Sequence, residues 1–166
     1  MNYLNKGNDG FASLRNSKFV DKSLLIAEVN SAMMTENRFL CVTRARRFGK
    51  SVAVKMLNAY YDKSCDSQNL FQGLAISKDE DFEKHLNRYP VLYLDMTDFV
   101  TKYGNDEQLV EHIKRDICEE LLELYKGVVM KPNDDLMDLL VSIVNQTGEK
   151  FVCLIDEWDA LCREGQ

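Results

Sequence analysis

Five consecutive apolar residues, Phe151, Val152, Cys153, Leu154 and Ile155, run directly into two acids, Asp156 and Glu157. An uninterrupted apolar run of this length, bounded by polar residues, suits a strand buried on both faces, as in a parallel sheet covered by helices. The two carboxylates then fall at the strand's C-terminal end, the edge at which open α/β sheets hold their ligands. A strand that simply leads to an acidic helix cap, with Asp156 or Asp159 before Ala160 and Leu161, accounts for the same residues without a ligand.

Two further apolar runs predict strands at 39–43 (Phe39, Leu40, Cys41, Val42) and at 91–96, the second following Pro90, which a strand tolerates at its start. Between them the apolar spacing is helical. A first helix is expected from Asp21 to near Glu36, with Asp21 as N-cap and Phe19 and Val20 placed to staple against Leu24, Leu25 and Val29. A helix over 52–61 would turn Val52, Ala53, Met56, Leu57 and Tyr60 towards the sheet, with Tyr60, Tyr61 and Phe71 as core rather than as a base-stacking platform. A short polar helix is expected over 79–86, and Val110, Ile113, Ile117, Leu121 and Leu124 predict a long amphipathic helix over 105–125. A last helix, capped by Asp134, would bury Leu136, Leu139, Leu140 and Ile143 before a turn at Gly148. Residues 1–18 read as a partly irregular leader to a single domain spanning 1–166. Strands alternating with helices imply a parallel sheet with right-handed crossovers.

Between the run at 39–42 and the helix at 52–61 lies RARRFGKS, residues 44–51, where a phosphate-binding loop belongs. The usual spacing, G-x-x-x-x-G-K-[ST], would place its first glycine at position 44, which is Arg44 here. Gly49 lets the backbone approach a polyphosphate, Lys50 can reach its outer phosphates, and the Ser51 hydroxyl can ligate Mg²⁺ at a helix N-terminus that presents free N–H groups. Arg46, Arg47, Phe48, Gly49, Lys50, Ser51 and Val52 form the candidate cofactor-binding set. Ser51 and Asp156 are the candidate metal ligands, with Lys50 and Glu157 as catalytic groups, Glu157 orienting or deprotonating a water. The bland reading of GKS is an ordinary helix start with a solvated lysine. Together, in this order, the loop and the acidic strand end form the Walker A and Walker B pattern. They point to ATP and Mg²⁺ on a P-loop NTPase-type sheet sandwiched by helices.

Four cations, Arg44, Arg46, Arg47 and Lys50, fall within seven residues. They would serve the triphosphate or a neighbouring domain, or else form a solvated loop neutralised by Asp95 or Asp156. Asp95 itself either approaches Mg²⁺ and the loop arginines or caps the amides of Thr97 and Asp98. Asp21 and Lys22 are equally open, and Phe19 and Val20 line either an adenine pocket or a helix staple.

The segments FVDKSLLI (19–26), TRARRFGKS (43–51), LFQGLAI (70–76), YPVLYLDM (89–96) and LIDEWD (154–159) resemble successive motifs of the predicted AAA-ATPase family of bacteria and archaea. The resemblance covers about residues 8 to 161. In that family the phosphate loop is typically arginine-rich and lacks the first glycine, so the departure at Arg44 is expected. The resemblance implies ATPase activity, a sheet order that puts the 91–96 strand on the far side of the Asp156 strand from the 39–43 strand, and longer chains that continue into a PD-(D/E)XK nuclease-like domain. Only three strands are visible against the usual four to six. The sequence ends nine residues after Glu157. It therefore reads as the N-terminal part of a longer ATPase, incomplete at its C-terminus, whose 39–43 strand is an exposed edge or partner surface.

Composition narrows the alternatives. A net charge of −6 argues against general attraction to nucleic acid, which needs a basic face. Five cysteines without C-x-x-C spacing suit reduced thiols in a cytoplasmic protein rather than a disulfide framework. His85 and His112, far apart and without paired cysteines, do not suggest a zinc site. The longest apolar stretches fall well short of the roughly 20 residues that cross a bilayer, and the N-terminus lacks the regions of a signal peptide. The expected function is ATP binding with Mg²⁺-dependent hydrolysis. Hydrolysis would be slow, because GTPases lacking their trans arginine turn over on the order of 10⁻⁴ per second. A nucleotide-regulated interaction module and, more weakly, a metal-dependent nuclease using Asp95, Asp156 and Glu157 are the rivals from other classes.

Overall fold

The structure, a computed structural model, describes residues 2–43, 48–104 and 107–160. The chain divides into two compact units, one formed by residues 5–91 and the other by 1–4 with 92–166.

The 5–91 unit is helical. It contains α1 (Asp9–Arg15), α2 (Leu24–Ala32), α3 (Lys50–Tyr61), α4 (Gln68–Phe71), a 3₁₀ turn at Ala75–Lys78, and α5 (Phe82–His85). Its core is aromatic: Phe11, Tyr60, Tyr61 and Phe71 are fully buried along with Ile26, Met56 and Ile76. Phe11 stacks on Phe71 with ring centroids 5.1 Å apart, and Tyr60 meets Phe71 edge-on at 5.5 Å. Both tyrosine hydroxyls find polar partners, as buried hydroxyls must. Tyr61 donates to Asn30 Oδ1 at 2.7 Å, and Tyr60 donates to the Phe82 carbonyl at 2.6 Å. The three aromatics expected as core are therefore core.

Several expectations are corrected in this unit. Residues 39–43 are not a strand; a strand exists only through its ladder, and these residues pair with no other strand among the described residues. Phe39, Leu40 and Val42 are instead exposed, at 84%, 51% and 43%. The first helix starts at Leu24 and stops at Ala32, short of Glu36, and Ser23 rather than Asp21 is its N-cap. Asp21 lies outside the helix, its carboxylate accepting the Ser23 and Ala75 N–H groups, each at 2.8 Å. Val20 is 72% exposed and so staples nothing, while Phe19 meets Phe11 edge-on. The short helix expected over 79–86 shrinks to α5, and α3 packs chiefly on α1, a helix that the sequence pattern did not announce.

The other unit holds β1 (Val91–Asp95, whose first residue belongs to the 5–91 unit), α6 (Met96–Tyr103), α7 (Leu109–Leu124), α8 (Leu136–Thr147) and β2 (Val152–Asp156). β1 and β2 form a small, open, parallel pair. Leu4 bridges antiparallel to Leu92, and the Tyr93 N–H donates to the Tyr3 carbonyl at 2.8 Å. Leu92 and Leu94 join Phe99, Leu109, Ile117, Leu121, Leu139 and Ile143 in one core, which fixes α6, α7 and α8 against the strand. The long amphipathic helix forms, but it starts at Leu109, and of its expected apolar face Ile117 and Leu121 are buried while Val110 and Leu124 are exposed. α8 is capped by Asp135 instead of Asp134, in a capping box with Asp138, and ends at Gly148 in the left-handed region.

β2 corrects the expectation of burial on both faces. Cys153 is exposed and Ile155 is 51% exposed, while Asp156 is buried. The architecture among the described residues is mixed helix and strand with two paired strands, so a complete sandwiched sheet is not seen there.

Candidate functional site

Gly49 begins α3 in the left-handed region, with φ +81°. An L side chain there is strained, and a Cβ added to Gly49 would also come within 3.2 Å of Lys22 Nζ. The helix has no side-chain cap, and its first backbone bond runs from Ala53 N–H to the Gly49 carbonyl at 3.0 Å. The N–H groups of Lys50, Ser51 and Val52 therefore have no acceptor within the helix, and they lie at the positive end of its dipole. This is the arrangement that binds anions. Gly49, Lys50, Ser51 and Val52 are half-buried, and Phe48 is 62% exposed. From 26 residues upstream, the Lys22 ammonium donates to the Phe48 carbonyl at 2.6 Å. Arg44, Arg46 and Arg47 lie outside the described residues.

At the end of β2, Asp156 is 4% exposed and accepts the backbone N–H of Glu157 at 3.0 Å. Its charge acts on the Tyr93 hydroxyl of β1. Burial, then the charges of Asp156, Asp95 and Asp98, push the Tyr93 hydroxyl well above its ordinary range, so it remains a neutral donor. Glu157 holds φ +52°, uncommon for a residue other than glycine, and its carbonyl accepts the Ala160 N–H at 2.8 Å. Such backbone strain concentrates at functional sites. Asp95 caps α6 by accepting the Thr97 N–H at 2.9 Å, one of the two readings its position left open. Among the described residues, no three or more His, Cys, Asp or Glu side chains gather as a metal-holding group.

The structure thus gathers the candidate residues into two local groups. Phe48, Gly49, Lys50, Ser51 and Val52 lie at the start of α3 with Lys22, and Asp156 and Glu157 lie at the end of β2 with Tyr93. Tyr93 was not singled out from the sequence. The available signal was a hydroxyl-bearing residue inside an otherwise apolar strand, which requires a polar partner once buried.

The sequence model of the family described as Predicted AAA-ATPase matches residues 6–164. The chain belongs to that family. Nearly the whole sequence lies within the match, which includes both the α3 start and the acidic end of β2. No curated protein and no solved structure matches this AAA-ATPase-family chain. Among its described residues, no helix is long and apolar enough to cross a membrane.

Proposed function

We propose that this AAA-ATPase-family chain binds ATP at the start of α3 and, with Mg²⁺, hydrolyses it slowly. The observation that carries the reading is Gly49, left-handed and without a side chain, opening an uncapped 12-residue helix whose next residue is Lys50. That backbone accepts a polyphosphate without a clash, and three N–H groups and an ammonium stand ready for its charge. Hard oxygen donors suit Mg²⁺, and Ser51 and Asp156 are the residues assigned to it by the sequence pattern. Bound there, the ion would neutralise charge on the phosphates. Glu157 is assigned to the attacking water, and its half-exposed position in a strained turn supports a role beyond packing. Calorimetry with ATP and Mg²⁺ tests the reading: Glu157→Gln should keep the affinity and lose turnover, whereas equal turnover in that variant excludes Glu157 as the group that handles water.

The exposed apolar run at Phe39, Leu40 and Val42, directly before the loop, favours a second reading in which nucleotide binding orders a surface for a protein partner. Tight ATP binding with negligible hydrolysis in the presence of that partner would select it.

A further inference from the structure

The segment 21–23 is held from both ends. The Asp21 carboxylate accepts the N–H groups of Ser23 and Ala75, and the fully buried Ser23 hydroxyl accepts the Ile76 N–H at 3.1 Å. Two consecutive amides of the 3₁₀ turn are thereby fastened to the residues on either side of Lys22. Burial acts against the Asp21 charge, but the hydrogen bonds from Ser23 and Ala75 overcome it and hold the carboxyl below its ordinary range. Between these anchors, Lys22 projects its ammonium onto the phosphate loop, 2.6 Å from the Phe48 carbonyl and beside the missing side chain of Gly49.

We propose that Lys22 is a second phosphate-binding cation of the α3 site, holding the loop through the Phe48 carbonyl and the nucleotide's phosphates through its remaining N–H donors. The inference rests on the ATP-binding reading above. An ammonium carries three donors, and the Phe48 carbonyl takes one. The side chain is exposed, so an anion can reach it. A Cβ at position 49 would crowd Lys22 Nζ at 3.2 Å. The Asp21 clamp explains why the lysine stays on the loop: it fixes the backbone from which the side chain reaches, so less freedom is lost when the phosphate is bound.

The test compares ATP binding, in the presence of Mg²⁺, to the full chain and to its Lys22→Met, Lys22→Arg and Lys50→Ala variants over a range of salt concentrations. Lys22→Met should weaken ATP on the order of tenfold, as expected for losing a charged hydrogen bond. It should also flatten the fall of affinity with salt, because one phosphate-contacting charge is gone. Lys22→Arg should recover most of the affinity and the salt dependence. The proposal is overturned if Lys22→Met binds ATP as the full chain does, or if its loss is the same at every salt concentration and Arg fails to restore it, as for a brace on the Phe48 carbonyl alone. In those cases Lys50→Ala still abolishes binding and the ATP site stands. If the unaltered chain binds no ATP, the site and the role of Lys22 fall together.

Discussion

The hydroxyl of Tyr93 on β1 lies within the field of the Asp156 carboxylate on the paired strand β2, whose charge adds to burial in keeping that hydroxyl protonated. A hydroxyl in that place would steady the acid that the proposed site assigns to Mg²⁺, much as outer-shell donors fix metal-binding carboxylates. Asp156 is buried, and a buried carboxylate that loses a donor is costly. Tyr93→Phe should lower unfolding free energy by about 1–3 kcal/mol in urea titrations. An unchanged midpoint would mean that the hydroxyl supports neither the strand pair nor the acid.

Asp116 governs the acid sensitivity of the unit built on β1. It is 8% exposed and accepts from Lys102 Nζ at 2.7 Å, from Tyr103 at 2.7 Å and from Tyr3 at 3.1 Å. Burial raises its pKa, but the hydrogen bonds from Lys102, Tyr103 and Tyr3 outweigh it and lower the value to about 2. A carboxyl depressed in the folded state contributes stability above its unfolded pKa of about 3.9, and that contribution is lost as pH falls from there through about 2. The contribution is on the order of 2 kcal/mol. Asp116→Asn should flatten the loss of stability between those two pH values. A variant as acid-sensitive as the unaltered chain would contradict the assignment.

The backbone at Glu157 was invisible in the sequence, and so was much else that depends on distant partners. Ile113, Ile117 and Leu121 mark α7 in the sequence because a helix satisfies its own hydrogen bonds and needs only one apolar face. Phe39 to Val42 look equally apolar, but a strand needs a neighbour, which no local pattern supplies. Phe151 to Ile155 do form a strand from Val152, yet their continuous apolar character suggested two covered faces where Cys153 and Ile155 are exposed. α1 escaped notice because its seven residues bury only Phe11. The glycine that opens α3 is legible from its residue type; the Lys22 contact is not, because it joins residues 26 apart.

Glu157 trades stability for position. Its φ of +52° costs about 1 kcal/mol in a residue with a Cβ. Glu157→Gly should therefore raise the unfolding free energy by up to about 1 kcal/mol, while ATP hydrolysis is lost and ATP binding persists. Destabilisation together with full hydrolysis would reverse both assignments.

Gly49→Ala should act in the opposite sense. Forcing a Cβ into a left-handed residue, φ +81°, costs about 1–2 kcal/mol, and the new methyl crowds Lys22. ATP affinity should fall with stability. Retention of both would show that the loop does not depend on glycine.

Phe71→Ala separates packing from ligand binding. Phe71 is fully buried against Phe11, Tyr60 and Phe82. Its removal should cost about 3–5 kcal/mol. At a temperature where the variant is folded, its ATP affinity should match that of the unaltered chain. A selective loss of affinity with stability intact would make the aromatic cluster a base-binding platform.

The central claim is that the start of α3 binds a triphosphate, and titration calorimetry of ATP with Mg²⁺ against the full chain and its Lys50→Ala variant measures it directly. Saturable binding to the full chain at one site, lost in Lys50→Ala while the melting temperature is unchanged, is the predicted result. Absence of heat with the full chain, or the same affinity in Lys50→Ala, would contradict the account.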